Sequence, residues 1–229
     1  MMVLARRPAS GAGVQWAASR TRPGDAVTLF RSNVDRKARE GGLDPARIPP
    51  GQYYTDKWPV LHAGGVPRVD IATWDLRLFG LVEEELRLSF DELLALGSED
   101  STADIHCVTR WTKLDMPWRG VPMEAVLDRV RPLPEALYVI AHAEQGYTAN
   151  LPLSALTEPG VMLAYEAEGE PLTPEHGYPL RLLVPSRYFW KSAKWLRGLE
   201  FTATDRPGFW EGYGYHNEAD PWREERYGF

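Results

Sequence analysis

The chain has 229 residues, 44% hydrophobic and 25% charged, values that suit one folded domain of generous size and exclude a wholly disordered chain. No apolar run reaches the roughly 18 residues that a membrane-spanning helix needs. The first fifty residues carry nine basic and four acidic side chains, and the rest seventeen and twenty-eight. A body so acidic excludes phosphate-neutralising contact with nucleic acid, and the basic head reads as a solvated tail.

Taken in order, residues 1–48 mix Gly, Ala, Ser, Arg and Pro without apolar register and are expected to form a basic, partly disordered extension. A short helix is expected over Asn33–Arg39. Arg6-Arg7 is followed by the polar, glycine-broken run Pro8–Gly13, which lacks the apolar core of an export signal and points to a cytoplasmic protein. The folded part, residues 49–229, begins around Pro49-Pro50-Gly51. Alternation in Trp74–Leu78 predicts a half-buried strand, with Leu86-Arg87-Leu88 as its hairpin partner. Ser89 and Glu92 form a capping box over a helix running through Leu96 and closed by Gly97. Ile105–Val108 reads as a strand, and Pro122 starts a helix carrying Val126, Leu127 and Val130. Tyr138–Ala141, Met162–Tyr165 and Leu180–Val184 read as buried strands. Strands outnumber helices without regular alternation, so the fold class is α+β rather than doubly wound. There is no internal repeat and no glycine-rich phosphate loop.

Three clusters carry candidate chemistry. Cys107, the one cysteine, ends an apolar strand ahead of Arg110, Trp111 and Lys113. Buried cysteines are usually inert, but neighbouring cations would favour a thiolate, which is a nucleophile or a soft metal ligand. In His176–Arg181, strand alternation sets Arg181 on one face with Leu183 and Pro179, and a guanidinium in so apolar a run needs an anionic or carbonyl partner. Lys191-Ser192-Ala193-Lys194 sits at a turn before a strand and offers backbone N–H groups and ammonium donors to an anion. Tyr165 and His142 stand at strand ends where polar tips can enter a cleft. After Arg206 the chain is rich in aromatic residues (Phe209, Trp210, Tyr213, Tyr215, Trp222, Tyr227, Phe229), expected to wrap over the body.

Ala164-Tyr165-Glu166, Gly169–Leu172, His176–Pro185 and Lys191–Leu196, taken in order with Cys107 about seventy residues before them, resemble the molybdopterin-binding domain of the sulfite oxidase family. The similarity runs from about Gly51 to about Thr204. It implies the mixed-sheet sulfite-oxidase-type molybdopterin-binding fold and a molybdenum–molybdopterin cofactor, with Cys107 as the one protein ligand to the metal. It further implies that His176, Arg181, Ser192, Ala193 and Lys194 hold the pterin and its phosphate, that His142 is a pterin contact, and that Gln52, Tyr53, Thr55 and Lys57 form an early loop touching the cofactor. Tyr165 and Arg110 become the catalytic candidates beside Cys107. The implied activity is oxygen-atom transfer on a small sulfur- or nitrogen-containing substrate. Electrons would come from an external carrier, because one cysteine supplies no iron–sulfur ligand set. The competing readings are a cofactor-free scaffold of the same fold and, further behind, a thiol hydrolase using Cys107 and a distant histidine.

Overall fold

The computed structural model describes Val34, Arg36 and residues 38–228. Eleven strands form two sheets. The first contains β1 (Tyr53–Tyr54), β4 (Glu99–His106), β5 (Trp111–Pro122), β8 (Met162–Ala167), β9 (Glu170–Pro171) and β10 (Arg181–Leu183). Its path runs β1-β5-β8-β10, with β4 pairing on β5 and β9 on β8. The second contains β2 (Asp75–Gly80), β3 (Leu86–Ser89), β6 (Tyr138–Ala143), β7 (Thr148–Pro152) and β11 (Leu196–Thr202), in the order β3-β2-β11-β6-β7. Two fully described α-helices accompany them, α1 (Phe90–Leu94) and α2 (Met123–Val130).

The reason for two layers is visible strand by strand. Successive side chains face opposite ways, so each central strand of the first sheet feeds two apolar clusters. Val121, Leu163 and Leu182 pack inward with Leu78, Leu199, Phe201, Val139 and Leu151 of the second sheet, and with Val126 of α2. Trp111, Trp118, Ala164 and Leu183 turn to the other face, where they meet Ile105, Cys107 and Leu172. That outer face carries the site.

The capping box forms as expected: Ser89 N–H donates to Glu92 Oε2 at 2.8 Å, and Glu92 N–H donates to Ser89 Oγ at 3.3 Å. The helix it caps ends at Leu94, two residues short of Leu96, and Gly97 closes the turn at φ +117°. Strands β5 and β7 were not anticipated. Trp111–Pro122 contains a proline and alternating charges that mask its pairing, yet it is the twelve-residue centre of the first sheet. Of the helix expected over Asn33–Arg39, Asn33, Asp35 and Lys37 lie outside the described residues, and Val34, Arg36, Ala38 and Arg39 are helical. Val34 and Ala38 pack with Ile48 against Leu114. Arg47 spans Asp104 (Nε to Oδ2, 3.0 Å) and Asp115 (Nη1 to Oδ2, 3.1 Å), fastening this segment to β4 and β5.

The close approach of β5 to β8 requires glycine at one point. A Cβ on Gly120 would stand 2.5 Å from Leu163 O and 2.8 Å from Ala164 Cα. Gly120→Ala is therefore expected to lower stability by about 2 kcal/mol, read from urea denaturation, through overpacking against backbone that has no rotamer to yield. An unchanged midpoint would contradict the packing described for these strands.

Candidate cofactor and reaction site

A cavity of about 500 Å³ opens where the outer face of the first sheet meets the β6–β7 end of the second. Cys107, His176, Arg181, Ser192, Ala193 and Lys194 all line it. Each is delivered by local geometry. Cys107 leads a tight turn after β4 in which its N–H donates to Trp111 O and its carbonyl accepts from Arg110 N–H, both at 2.9 Å. Gln52 steadies that turn from behind, its Nε2 donating to Cys107 O at 3.0 Å. Thr109 Oγ1 donates to the sulfur at 3.1 Å.

Arg181 reaches the cavity from β10, on the face it shares with Leu183. It is 1% exposed, and its Nη1 and Nη2 donate to His176 O (3.0 Å) and Ser192 O (2.9 Å). Its Nε has no partner, and the guanidinium lies 4.1 Å from the Phe189 ring centroid. Among the described residues it pairs with no carboxylate, and burial pushes its pKa down to about 9. Lys194 Nζ donates to Leu61 O and Glu175 O, each at 2.8 Å. Burial, and then the neighbouring Arg181, push that ammonium down to about 7. The His176 ring stacks on Trp58 with centroids 3.7 Å apart, and its Nε2 is buried without a partner. Two cations and an imidazole nitrogen thus converge on one space, and among the described residues neither cation is ion-paired: Glu175 acts on Lys194 only through space, and Glu144 on the lining is paired with Arg197; this fits a ligand bearing phosphate. The sulfur on the same wall fits a ligand bearing a soft metal. Among the described residues, no group of three or more His, Cys, Asp or Glu could hold a metal ion by itself.

Several expected residues lie elsewhere. Tyr165 stands on the inner face of β8, packed on Phe90, where its hydroxyl accepts from Arg119 Nε (3.2 Å) and donates to Ser98 Oγ (2.8 Å). His142 alternates out of the core between the buried Ala141 and Ala143, and meets Glu200 at 2.8 Å. Arg110 adopts φ +76° in the turn after Cys107 and is exposed outside the cavity lining. Lys113 pairs with Glu168 at 2.9 Å. No cation therefore lowers the Cys107 thiol; burial raises it, with Thr109 only partly opposing. Gln52, Tyr53, Thr55 and Lys57 also miss the lining: Tyr53 pairs along Trp111, and Thr55 Oγ1 accepts from Lys57 N–H at 3.1 Å. The loop that does line the cavity follows directly, with Trp58, Pro59, Leu61, His62, Ala63 and Gly64.

The residues not foreseen come from the C-terminal tail. Phe209, Trp210 and Tyr215 form a wall of the cavity with Trp190 and Tyr147. Tyr215 lies 4.9 Å from Trp210 and 5.1 Å from Trp190, and its phenol is raised first by burial, then by Tyr227 and by Cys107. It is the tyrosine whose charge feels the sulfur. The density of tail aromatics was the available signal; which of them turn inward was not.

A buried sulfur and two cations that form no ion pair among the described residues, on the outer face of a mixed sheet, mark an α+β domain whose cavity fits an anionic, metal-bearing cofactor. The chain belongs to the oxidoreductase molybdopterin binding domain family, whose model matches residues 63–210. It is 50% identical over 182 residues to an uncharacterized oxidoreductase, YuiH, of Bacillus subtilis, covering 79% of this chain and 92% of that one. To the catalytic subunit MsrP, a protein-methionine-sulfoxide reductase of Xanthomonas axonopodis, it is 30% identical over 172 residues, which is 66% of this chain and 53% of MsrP. The sulfane dehydrogenase SoxCD of Paracoccus pantotrophus superimposes with a TM-score of 0.57 at 28% identity, over 62% of this chain and 41% of that one. The chain thus spans about half of MsrP and less of SoxCD. It is a molybdopterin-binding oxidoreductase domain with the sulfite-oxidase-type fold, and the cofactor of its family is molybdenum–molybdopterin.

Lys194 makes a pH test of this geometry. The unfolded chain keeps this proton up to the ordinary 10.5, whereas the folded, cofactor-free chain releases it near 7. Between these values the unfolded state holds the extra proton, so this group adds stability as pH rises. From below pH 7 to about pH 9, the stability of the cofactor-free parent should rise relative to Lys194→Met, measured by denaturation at each pH. Parallel curves would show that Lys194 is not under strain.

Proposed function

We propose that the chain is a mononuclear molybdenum oxidoreductase that transfers an oxygen atom to or from a small, uncharged sulfur or nitrogen compound, using an external electron carrier. The observation that carries this reading is the single cavity shared by Cys107 with His176, Arg181 and Lys194. Cys107 is the protein ligand to molybdenum; Arg181 and Lys194 hold the phosphate, and His176 with the Ser192–Ala193 turn holds the pterin. When bound, this group supplies the two-electron redox change and the point at which oxygen is exchanged.

The remaining work belongs to side chains. Trp58 keeps His176 in plane by stacking, and the Lys194 contact to Leu61 O draws the 58–64 loop across the cavity, excluding water. Gln52 fixes the backbone that presents the sulfur, as an outer partner orients a metal ligand. Tyr215 holds a proton at its Oη and donates a hydrogen bond to the substrate oxygen. Around Cys107 the lining is Val108, Thr109, Trp111, Phe189, Trp190, Trp210 and Tyr215, none of them charged. Arg110 is exposed outside the lining and Arg119 is engaged with Tyr165 and Asp100, so among the described residues the one guanidinium lining the cavity is Arg181, which is given to the cofactor phosphate. This favours a neutral sulfoxide or N-oxide over sulfite or nitrate. MsrP, by its name, acts on a sulfoxide. A cofactor-free scaffold would leave Arg181 Nε and His176 Nε2 buried for no return.

The test begins with metal and phosphorus content after expression in a molybdenum-replete host. The parent is expected to hold molybdenum and Cys107→Ala to lose it; equal retention would remove Cys107 from the ligand role. In turnover of a neutral sulfoxide with a reduced dye as electron donor, Tyr215→Phe should lower kcat by about a hundredfold with molybdenum content intact. Tyr165→Phe should match the parent. The reverse ranking would return the role to Tyr165.

A further inference from the structure

Lys191 precedes the Ser192–Ala193–Lys194 turn, yet it turns away from the cavity. Its side chain is 0% exposed and pairs with Glu211 Oε1 at 2.6 Å, a carboxylate itself 3% exposed. Lys191 Nζ also donates to Asn150 O (2.8 Å) and Asn150 Oδ1 (2.9 Å). The same Glu211 oxygen accepts from Trp190 Nε1 at 2.7 Å. Asn150 extends the grip along the tail: its Nδ2 donates to Asp205 Oδ1 (2.8 Å) and Asn217 Oδ1 (2.6 Å), and its Oδ1 accepts from Gly208 N–H (3.3 Å). Glu211 lies between the wall residues Trp210 and Tyr215, at the start of the short 3-10 turn Glu211–Tyr213.

Two buried charges are a poor way to gain stability, since desolvation offsets most of their attraction and an apolar pair of the same size would serve as well. What a buried pair does supply is registry, because sliding the tail by one residue would strand both charges. Backbone bonds hold the tail at its two ends, Phe209 N–H donating to Thr148 O at 2.9 Å and Tyr188 N–H to Ala219 O at 2.7 Å; between them the aromatic side chains contact one another through faces and edges that tolerate sliding. Tyr215 and most of this segment also lie beyond residue 210, where the family match ends.

We propose that Lys191 and Glu211 are positioning residues, a buried clasp that locks the 205–217 segment in the one register that sets Trp210 and Tyr215 against the Cys107 end of the cavity. The clasp ties the cofactor turn to the substrate wall, since Lys191 and Ser192 are adjacent and Ser192 O accepts from Arg181. Only its consequence for turnover rests on the functional reading above.

The clasp is tested on the cofactor-free full chain, by the rate at which iodoacetamide alkylates Cys107 under native conditions and by thermal melting. Lys191→Met and Glu211→Leu each strand one charge and should lower Tm and expose the thiol. The double variant Lys191→Met/Glu211→Leu removes both charges and should recover most of the Tm lost in either single variant, short of the parent by what Trp190 Nε1–H loses with its acceptor, while alkylation stays about tenfold or more above the parent because the tail has lost its register. Glu211→Gln keeps an acceptor for Lys191 and Trp190 and should alkylate at close to the parent's rate. If alkylation in the double variant returns to the parent's rate as Tm recovers, or Glu211→Leu alkylates like the parent, the clasp is structural only and the proposal falls. In loaded enzyme the double variant should raise KM for a neutral sulfoxide at unchanged molybdenum content. A chain that binds no molybdenum but keeps this alkylation pattern would sink the functional reading and support the clasp.

Discussion

A guanidinium held inside protein, with carbonyl oxygens and aromatic rings but no carboxylate against it among the described residues, is the constraint around which this domain is arranged. Arg181 gives two of its N–H groups to His176 O and Ser192 O and turns one side to the Phe189 ring. Carbonyls and a ring face stabilise a cation, but they do not neutralise it. That charge leaves an opening for an anion, and it adds to what burial does to two nearby bases: Lys194 and His176 lose their protons more readily first because they are buried and then because Arg181 is beside them. The cofactor-free cavity is therefore a strained arrangement whose relief is the ligand.

Alternation along the strands decides which side chains can share in that arrangement. On β10 it puts Arg181 on the outer face and Leu182 in the core, which could be read directly from Leu-Arg-Leu-Leu-Val. The same rule sends Tyr165 inward beside the outward Ala164, and His142 outward between two buried alanines. Both were expected at the cleft because each ends a strand, and strand ends say nothing of faces until the pairing of neighbours is known. That pairing depends on β5, whose proline and charged residues hide its central place. The candidate site was thus legible where a motif fixed the backbone, in His176–Arg181 and Ser192–Lys194. It was illegible where only nearness in sequence stood in for direction, as with Arg110 and the Gln52–Lys57 stretch.

The tail shows a second kind of limit. Its aromatics announced burial, yet only Phe209, Trp210 and Tyr215 turn into the cavity wall, while Tyr213, Trp222 and Tyr227 stay exposed and Phe229 lies outside the described residues; periodicity cannot assign inward positions in a segment of turns, and its anchor is a lysine that looks like a surface residue. Lys191 is interior because Asn150 and Glu211 come from two separate parts of the chain to meet it, with the neighbouring Trp190 donating to the same carboxylate. Such a site is invisible until the chain has been folded, since none of its members is unusual alone.

Proton accounting links the two ends of the cavity. In the cofactor-free chain burial keeps Cys107 as a thiol, with no cation near enough to draw the proton off. Binding a metal removes that proton, which makes binding tighter as pH rises. Lys194 is poised near neutrality and becomes an ammonium when an anion settles beside it, which makes binding weaker as pH rises through about 7. The two dependences have opposite sign and the two groups face one ligand. In the range between them, loading in effect moves one proton from sulfur to nitrogen and exchanges none with solvent. Placing the cations at the phosphate end, and keeping them away from the sulfur, is what makes that cancellation possible. A cation beside Cys107 would have given a thiolate ready for adventitious metals and oxidants.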